Sequence, residues 1–395
     1  MRPIQRFAKW LGFERADDSF KRGYEAALVR SFSAAMTGRL TEDWVTTNQS
    51  ADNALRYDLK TMRNRSRDQE QNENYIRRYF KLVENNVLGA NGVALQMKIK
   101  EMAKDKSGAF VERYDTRANS LIEDAWPQWC RKEFCTVNRT MNWAECQRIG
   151  LRSTVRDGGA LFRKHYPKNN KFNFSLEPLE IDHLDIDHNA NGVGGMIKMG
   201  VEYANGGEVV AYHIKRAHPG ELFQYVGGGL WRERVPAAQM IHLFKSDRIG
   251  QSTGAPWTHS ATMQLRHLAK YSEAEVVAAR AAAAKMGFLV PQPNAAASGY
   301  QGEKDAAGNK YMDVSPGSIE QLPFGFDFKQ FDPTHPNSAF GPFVKSMIRE
   351  AASGLGVSYT SLANDLESVN FSSIRAGLLE EREEWKAIQR WFVDD

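Results

Sequence analysis

The sequence lacks most of the features by which disulfide scaffolds, metalloproteins, nucleotide-binding enzymes and membrane proteins are recognised. Only three of its 395 residues are cysteine, Cys130, Cys135 and Cys146. An odd count in so long a chain argues against a disulfide framework and fits a reducing cytoplasm. No two of them have CxxC spacing and no histidine falls among them, so a zinc site is not expected and buried free thiols are. The sequence has no GxxxxGK[ST], no GxGxxG after a strand and no HExxH, so neither a cofactor nor a metal is expected. Long apolar runs are missing too. The stretch of lowest charge, residues 276–291, is interrupted by Arg280 and Lys285 and falls short of the roughly 20 apolar residues a membrane span needs. Residues 1–11 mix Arg2, Arg6 and Lys9 with single apolar residues and lack the core of a secretory signal. A soluble chain with no membrane partner is expected. Nor does one sign of charge prevail, since 52 Lys and Arg face 48 Asp and Glu, a net charge of +4.

What is present has a definite order. Length alone suggests two or three folding units at roughly 150 residues each. Residues 1–50 carry both signs of charge without sustained period and read as an arm. From Asn53 to Leu88 the apolar residues Leu55, Leu59, Met62, Ile76, Tyr79, Phe80, Val83 and Val87 fall at helical spacing, broken by the polar run Arg63 to Asn74. The same region holds Arg56, Lys60, Arg63, Arg65, Arg67, Arg77, Arg78 and Lys81, which reads as either a basic patch or a solvated helix face. Further helices are expected at residues 116–134 and 142–157. Then the period changes. Between Ala160 and Phe244, short alternating segments separated by glycine-rich turns predict a mainly antiparallel sheet. Helices first and a sheet after define the α+β class, not a βαβ alternation.

Pro256 and Gly287 bracket a stretch whose residues Ala261, Leu265, Leu268, Ser272, Val276, Ala279, Ala283 and Met286 recur at three and four positions. One helix of about 45 Å is predicted. Its alanine-rich end admits close approach of a neighbour. Residues 288–333 carry Pro291, Pro293, Pro316, Pro323 and Pro333 without helical period and predict a loop-rich tip. A second helix at 338–353 is stopped by Gly354 and Gly356, and after the polar stretch 364–373 a last helix carries Leu378, Leu379, Trp385, Ile388, Trp391 and Phe392. Large apolar residues so near the end suggest that the natural chain continues or that another subunit covers them.

Three short patterns invite a chemical reading. Gly250-Gln251-Ser252-Thr253-Gly254 matches GxSxG, the serine nucleophile elbow of α/β-hydrolases, but residues 245–248 separate it from any strand and the parallel β/α alternation is missing. A glycine turn before the long helix is the favoured reading, with a serine hydrolase using Ser252 as the alternative. Asp187 to Gly192 resembles half of an EF-hand loop, yet Lys198 stands where a bidentate glutamate belongs, so an Asx-rich turn is expected. His183 and His188 lie five residues apart, a spacing that points them to opposite faces of a strand.

The blocks GVEYANGGEVVAYHIKRAHPG, GQSTGAPWTHSATMQLRHLAKYSEAEVVAARAAAAKMGF and GLGVSYTSLANDLESVNFSSIRAGLLEEREEW, with RDGGALFR and IDHLDID upstream, resemble the lambda-type portal proteins of tailed bacteriophages, the head-tail connectors, over roughly residues 50–395. Members of that family usually extend further, so the resemblance implies a C-terminal part beyond residue 395. The resemblance implies a non-enzymatic ring of about twelve copies at one capsid vertex of the virion, built in the host cytoplasm. Double-stranded DNA would be packaged and ejected through it, and terminase, capsid and scaffolding proteins, and head-completion or tail proteins would dock on it. It implies an N-terminal arm at 1–50, a wing at 51–255, stem helices at 256–287 and 336–356, a clip at 288–335, a tunnel loop at 357–373 and a last helix at 374–395.

Under that resemblance Ala278, Ala279, Ala281, Ala282, Ala283 and Ala284 let stem helices crowd around a bore. A sliding duplex calls for weak phosphate contacts without base readout, which a near-neutral net charge suits. Lys285, Lys304, Lys310 and Arg375 are the candidate phosphate contacts, and equally readable as ordinary exposed charges. In the tunnel loop Asn364, Ser368, Asn370, Ser372 and Ser373 offer short polar side chains, with Phe371 wedged against a neighbouring loop. The remaining alternative is a monomeric nucleic-acid-binding protein using the basic stretch Arg56 to Lys81.

Overall fold

A computed structural model describes residues 39, 42–104, 110–192, 194–221, 232–283, 287–291, 303–304, 310–311, 326–330, 338–367 and 371–394. At 281–283, 287–289, 291, 303–304, 310–311, 328, 330, 371–374 and 376 it describes the backbone alone. The chain divides into two units, residues 1–50 and 51–395. In the first, residues 45–50 form no regular element and Trp44 and Val45 are exposed.

The second unit opens with three helices, α1 (Ala51–Arg56), α2 (Leu59–Asn72) and α3 (Asn74–Val87). Most of the polar run expected to interrupt helix formation is itself helical, because α2 buries a polar stripe; the break falls at Glu73 alone, between α2 and α3. Leu59, Arg63, Ser66 and Gln69 recur at helical spacing and all point inward. Burial pushes the Arg63 guanidinium down to about 10, and its charge is met by Asp182 at 3.3 Å while its Nε donates to the Asp157 carbonyl at 2.8 Å. Arg67 bridges the same two acids at 2.7 and 2.6 Å. Burial pushes the Asp182 carboxyl up, but Arg67 and Arg63 outweigh it and hold it below the usual range. These arginines are therefore internal fasteners and no part of a basic patch. Lys60 is likewise paired, with Asp187 at 2.6 Å.

A ribbon of β1 (Lys100–Lys104) and β2 (Phe110–Tyr114) precedes α4 (Thr116–Trp129), α5 (Lys132–Cys135) and α6 (Trp143–Asp157). α6 is capped from sequence: the Asn142 side chain accepts the Glu145 amide and the Glu145 side chain accepts the Asn142 amide. At its other end Gly158 takes φ 83°, and a methyl group there would collide with the backbone of Gly254. Only two glycines allow this close backbone approach.

The expected antiparallel strands follow. β3 (Ala160–His165) and β4 (Ser175–Leu179) pair with β10 (Met240–Leu243) in the order β10-β3-β4. A five-stranded meander comprises β5 (Ala190–Gly192), β6 (Gly195–Lys198), β7 (Val201–Ala204), β8 (Val209–Lys215) and β9 (Arg232–Pro236). Leu161, Val201, Ile214 and Val235 of these strands pack with Ile181, from the turn after β4, around Leu59. The class is α+β, as expected.

The remaining elements are α7 (Thr262–Ala283), β11 (Gly287–Pro291), β12 (Glu303–Lys304), β13 (Lys310–Tyr311), β14 (Phe326–Gln330), α8 (Phe340–Gly354), α9 (Tyr359–Ala363) and α10 (Phe371–Asp394). Helices α3, α6, α7, α8 and α10 share one core of Ile76, Phe80, Leu151, Leu265, Ile348, Ala351, Trp385 and Ile388. Each such aliphatic or aromatic side chain contributes about 1.5–3 kcal/mol by leaving water.

Candidate functional site

The long helix is shorter than its bracketing residues predict. α7 begins at Thr262, not at Pro256, and at 22 residues measures about 33 Å. The physical reason lies in the turn before it. The Trp257 amide donates to the Val155 carbonyl of α6 at 2.9 Å, and Thr258 donates its hydroxyl to Ser66 at 3.0 Å, so this segment is spent on docking to α6 and α2. The glycine end is met by strand: Gly287 opens β11 opposite Gln330 of β14.

α7 and α8 lie side by side. Tyr271 packs against Phe340 and Phe343 with ring centroids 5.8 and 5.1 Å apart, and the Ser260 hydroxyl donates to the Gly354 carbonyl at 2.8 Å. The partner residues rise along one helix as they fall along the other, so the pair is antiparallel. Burial is uneven along it. Leu265 and Leu268 are enclosed, whereas Val276 and Val277 are 52% and 58% exposed, as are Met263 at 53% and Phe343 at 45%. Ala279 is exposed and Ala278 half-buried; Ala281, Ala282 and Ala283 continue the helix backbone, and Ala284 and Lys285 lie outside the described residues. Lys304 and Lys310 are brought together as direct register partners of β12 and β13.

The segment after α8 is more structured than a tunnel loop running from 357 to 373 implies. α9 occupies its start, and Asn364 ends that helix in the left-handed region at φ 54°, its side chain exposed. Asp365 then anchors the chain: its carboxylate accepts the Tyr359 hydroxyl at 2.8 Å and the Glu367 amide at 3.0 Å. The hydrogen bond from Tyr359, followed by that amide, holds its carboxyl below the usual range. Lys345 of α8 stands 3.6 Å from Asp365 and 3.8 Å from Glu367. Leu366, between them, is exposed. Ser368 and Asn370 lie outside the described residues. Phe371, Ser372 and Ser373 are not loop at all but the first turn of α10, with Arg375 exposed just beyond. Helical period in the run from Ile374 to Trp385 extends backward through them, since short polar residues are tolerated in a first turn.

α10 is fixed from several sides. The Ser361 hydroxyl donates to buried Glu381 at 2.9 Å, Gln389 donates to the Asn86 carbonyl at 2.6 Å, and Trp391 packs on Trp257. Lys345, Tyr359 and Glu381 hold the loop and its flanking helices, and sequence reading missed all three. Each is an ordinary polar residue whose partner is placed by folding; the Glu381 spacing to Ser361 carries no signal.

The GxSxG serine is not a nucleophile. Its hydroxyl donates to Asp52 Oδ2 at 2.7 Å and accepts from Tyr203 at 3.0 Å, with the side chain 1% exposed. His242, the histidine nearest this loop by hydrogen bonding, contacts Thr253 and not Ser252. Among the described residues no histidine bonds this hydroxyl, and held between Asp52 and Tyr203 at 1% exposure it has no room for an acyl group. Around the half EF-hand, Asn189 accepts the Met199 amide at 3.0 Å, a contact across ten positions and not the local Asx bond expected. His183 binds the Lys215 carbonyl while His188 packs on His213, so the two histidines do not converge. Glu180, Asp182 and His218 do approach one another. Two guanidinium groups already neutralise Asp182, which leaves that cluster poorly disposed toward a cation.

The described residues thus form an α+β body that carries an antiparallel helix pair with several of its apolar side chains exposed. Residues 37–389 match the family described as phage portal protein, lambda family, so the chain belongs to that family of head-tail connector proteins. The "Probable portal protein" of Halomonas phage phiHAP-1 is 31% identical over 380 residues, covering 94% of this chain and 71% of that protein. Among solved structures, a chain in the "Neck of empty GTA particle computed with C6 symmetry" is similar with TM-score 0.45 and 12% identity, over 80% of this chain and 74% of the other. A chain in the "Virion of native gene transfer agent (GTA) particle" gives TM-score 0.45 and 12% identity over 86% and 82%.

Proposed function

We propose that copies of this chain close into a ring of about twelve subunits at one vertex of a phage capsid, through which double-stranded DNA is packaged and ejected. In this reading 51–255 forms the wing, α7 and α8 the stem, 288–335 the clip, and the stretch after α9 the tunnel loop. Terminase and head-completion proteins dock on the assembled ring, and capsid and scaffolding proteins surround it in the virion.

The observation that carries the reading is the exposure of Val276, Val277, Met263 and Phe343 on the stem pair. Apolar side chains left this exposed among the described residues of a helix pair gain a cover when another copy packs against them. Heterologous contact of one stem with the next, repeated, closes a ring. The small side chains Ala278 and Ala279 on the same half suit close helix approach. In such a channel Lys304, Lys310 and Arg375 contact phosphates weakly, so DNA slides.

Native mass spectrometry with negative-stain imaging tests the proposal. Closed rings with a central hole are expected. A chain that stays monomeric at the highest attainable concentration, with helical content intact, overturns it.

A further inference from the structure

The three cysteines, far from any motif, meet in one apolar cluster with Trp129, Phe162, Leu176 and Leu243. Two of them touch. The Sγ atoms of Cys135 and Cys146 stand 4.0 Å apart, and both residues are fully buried. The segment joining them is clamped at its ends. The Trp143 amide donates to the Cys130 carbonyl at 2.9 Å, the Thr136 hydroxyl lies 3.3 Å from the Met141 carbonyl, and the capping box fixes the start of α6. The two sulfurs are thus held as neighbours by backbone contacts that do not depend on a bond between them.

Cys146 also lines a cavity of about 200 Å³ with Trp143, Gly150, Phe162, Leu176 and Phe392. The lining is almost entirely apolar, and its outer wall includes the last turn of α10, where helix ends open most readily. A space of this size and character admits a small neutral molecule and disfavours a large charged one. Within the pair, the hydrogen bond between the thiols raises the Cys135 pKa and lowers that of Cys146. Cys130 differs: it is only partly buried and its pKa is pushed up to about 11 by desolvation.

We propose that Cys146 and Cys135 form a two-thiol oxidation site for hydrogen peroxide, with Cys146 attacking and Cys135 resolving. The Cys146 thiolate attacks one peroxide oxygen and the O–O bond breaks, leaving a sulfenic acid and a hydroxide that takes up a proton to become water. The Cys135 sulfur, losing its proton, then attacks the sulfenic sulfur and expels a second hydroxide, which becomes water. Two electrons pass from the sulfurs to the peroxide, and an intrachain disulfide ties α5 to α6. This site is independent of ring formation and goes beyond the portal reading.

The test uses the full chain. It is exposed to millimolar hydrogen peroxide under native conditions, remaining thiols are alkylated after denaturation, and tryptic peptides are mapped. The expected product links peptide Glu133–Arg139 to peptide Thr140–Arg148, with Cys130 still alkylated. In Cys135→Ser the disulfide is lost and dimedone labels Cys146. Oxidised glutathione, bulky and charged, leaves the native pair untouched. The proposal is overturned by oxidation of Cys130 while the pair stays reduced, by dimedone labelling of Cys135 in Cys146→Ser, or by a pair that remains reduced throughout. If Cys135→Ser does not fold, peptide mapping of the unaltered chain decides by itself.

Discussion

Asp52 and Ser252, 200 positions apart, hold each other by two hydrogen bonds: the Ser252 amide donates to one carboxylate oxygen at 2.7 Å and its hydroxyl to the other at 2.7 Å. Both residues are buried. This contact ties the first helix of the main unit to the turn that leads into α7, and it assigns the GxSxG serine a structural task. Ser252→Ala strands the Tyr203 hydroxyl and one oxygen of Asp52, a loss of about 1–3 kcal/mol. Equilibrium denaturation is expected to show it as a lower midpoint. An unchanged midpoint, or esterase activity lost with the serine, counts against this assignment.

His242 makes stability depend on pH. Its ring packs between Tyr212 and Phe244, its Nδ1 is enclosed without a partner, and burial, then the Arg63 charge, pushes its pKa from 6.5 down to about 3. The folded state keeps the ring neutral, so between these values the unfolded chain binds the extra proton. Stability is therefore full above pH 6.5 and falls as pH drops toward about 3. Denaturation midpoints measured across that window should decline less steeply in His242→Gln than in the unaltered chain. Equal slopes show that other groups carry the dependence.

Val277 is the sharpest handle on assembly. At 58% exposure it touches little within its own chain, so Val277→Asp is expected to leave the far-ultraviolet circular dichroism spectrum and the melting midpoint nearly unchanged. In the proposed ring the same carboxylate would meet a neighbouring α7–α8 pair without a partner. Native mass spectrometry should then find monomers or small oligomers in place of rings. Rings of unchanged stability place the subunit contact elsewhere.

Because α10 begins at Phe371, the segment to delete in a test of the tunnel loop is 365–370, which spares the helix. That deletion is expected to leave rings intact while lowering DNA packaging or retention in assembled particles. Failure to form rings shows instead that this segment belongs to the subunit interface. Lys345→Ala, which loses only partly exposed ion pairs, should cost less than about 1 kcal/mol. Its readout is faster proteolysis between Asn364 and Glu367.

Period and punctuation made much of the architecture legible. A helix was expected at 142–157 and α6 lies there, glycine-separated alternation announced the strands between Ala160 and Leu243, and the helix expected at 338–353 before Gly354 is α8. Where the reading failed, side chains were serving a purpose that spacing does not encode. The run from Arg63 to Asn74 looked like a break throughout because its inward stripe is polar, and Pro256 looked like a helix start because the distant acceptor of the Trp257 amide, the Val155 carbonyl, was invisible.

Amphipathic spacing, caps and turn residues act over a few positions, so the amino-acid order alone determined the α+β class, the outgoing and returning helices and the three long blocks that carry family membership. Side-chain pairing was decided only by tertiary structure: Asp52 with Ser252 across 200 positions, Arg63 with Asp182 across 119, and even Cys135 beside Cys146 across 11. The physical reason is that a buried charge or thiol is defined by what surrounds it, and its surroundings arrive from segments that no local pattern links.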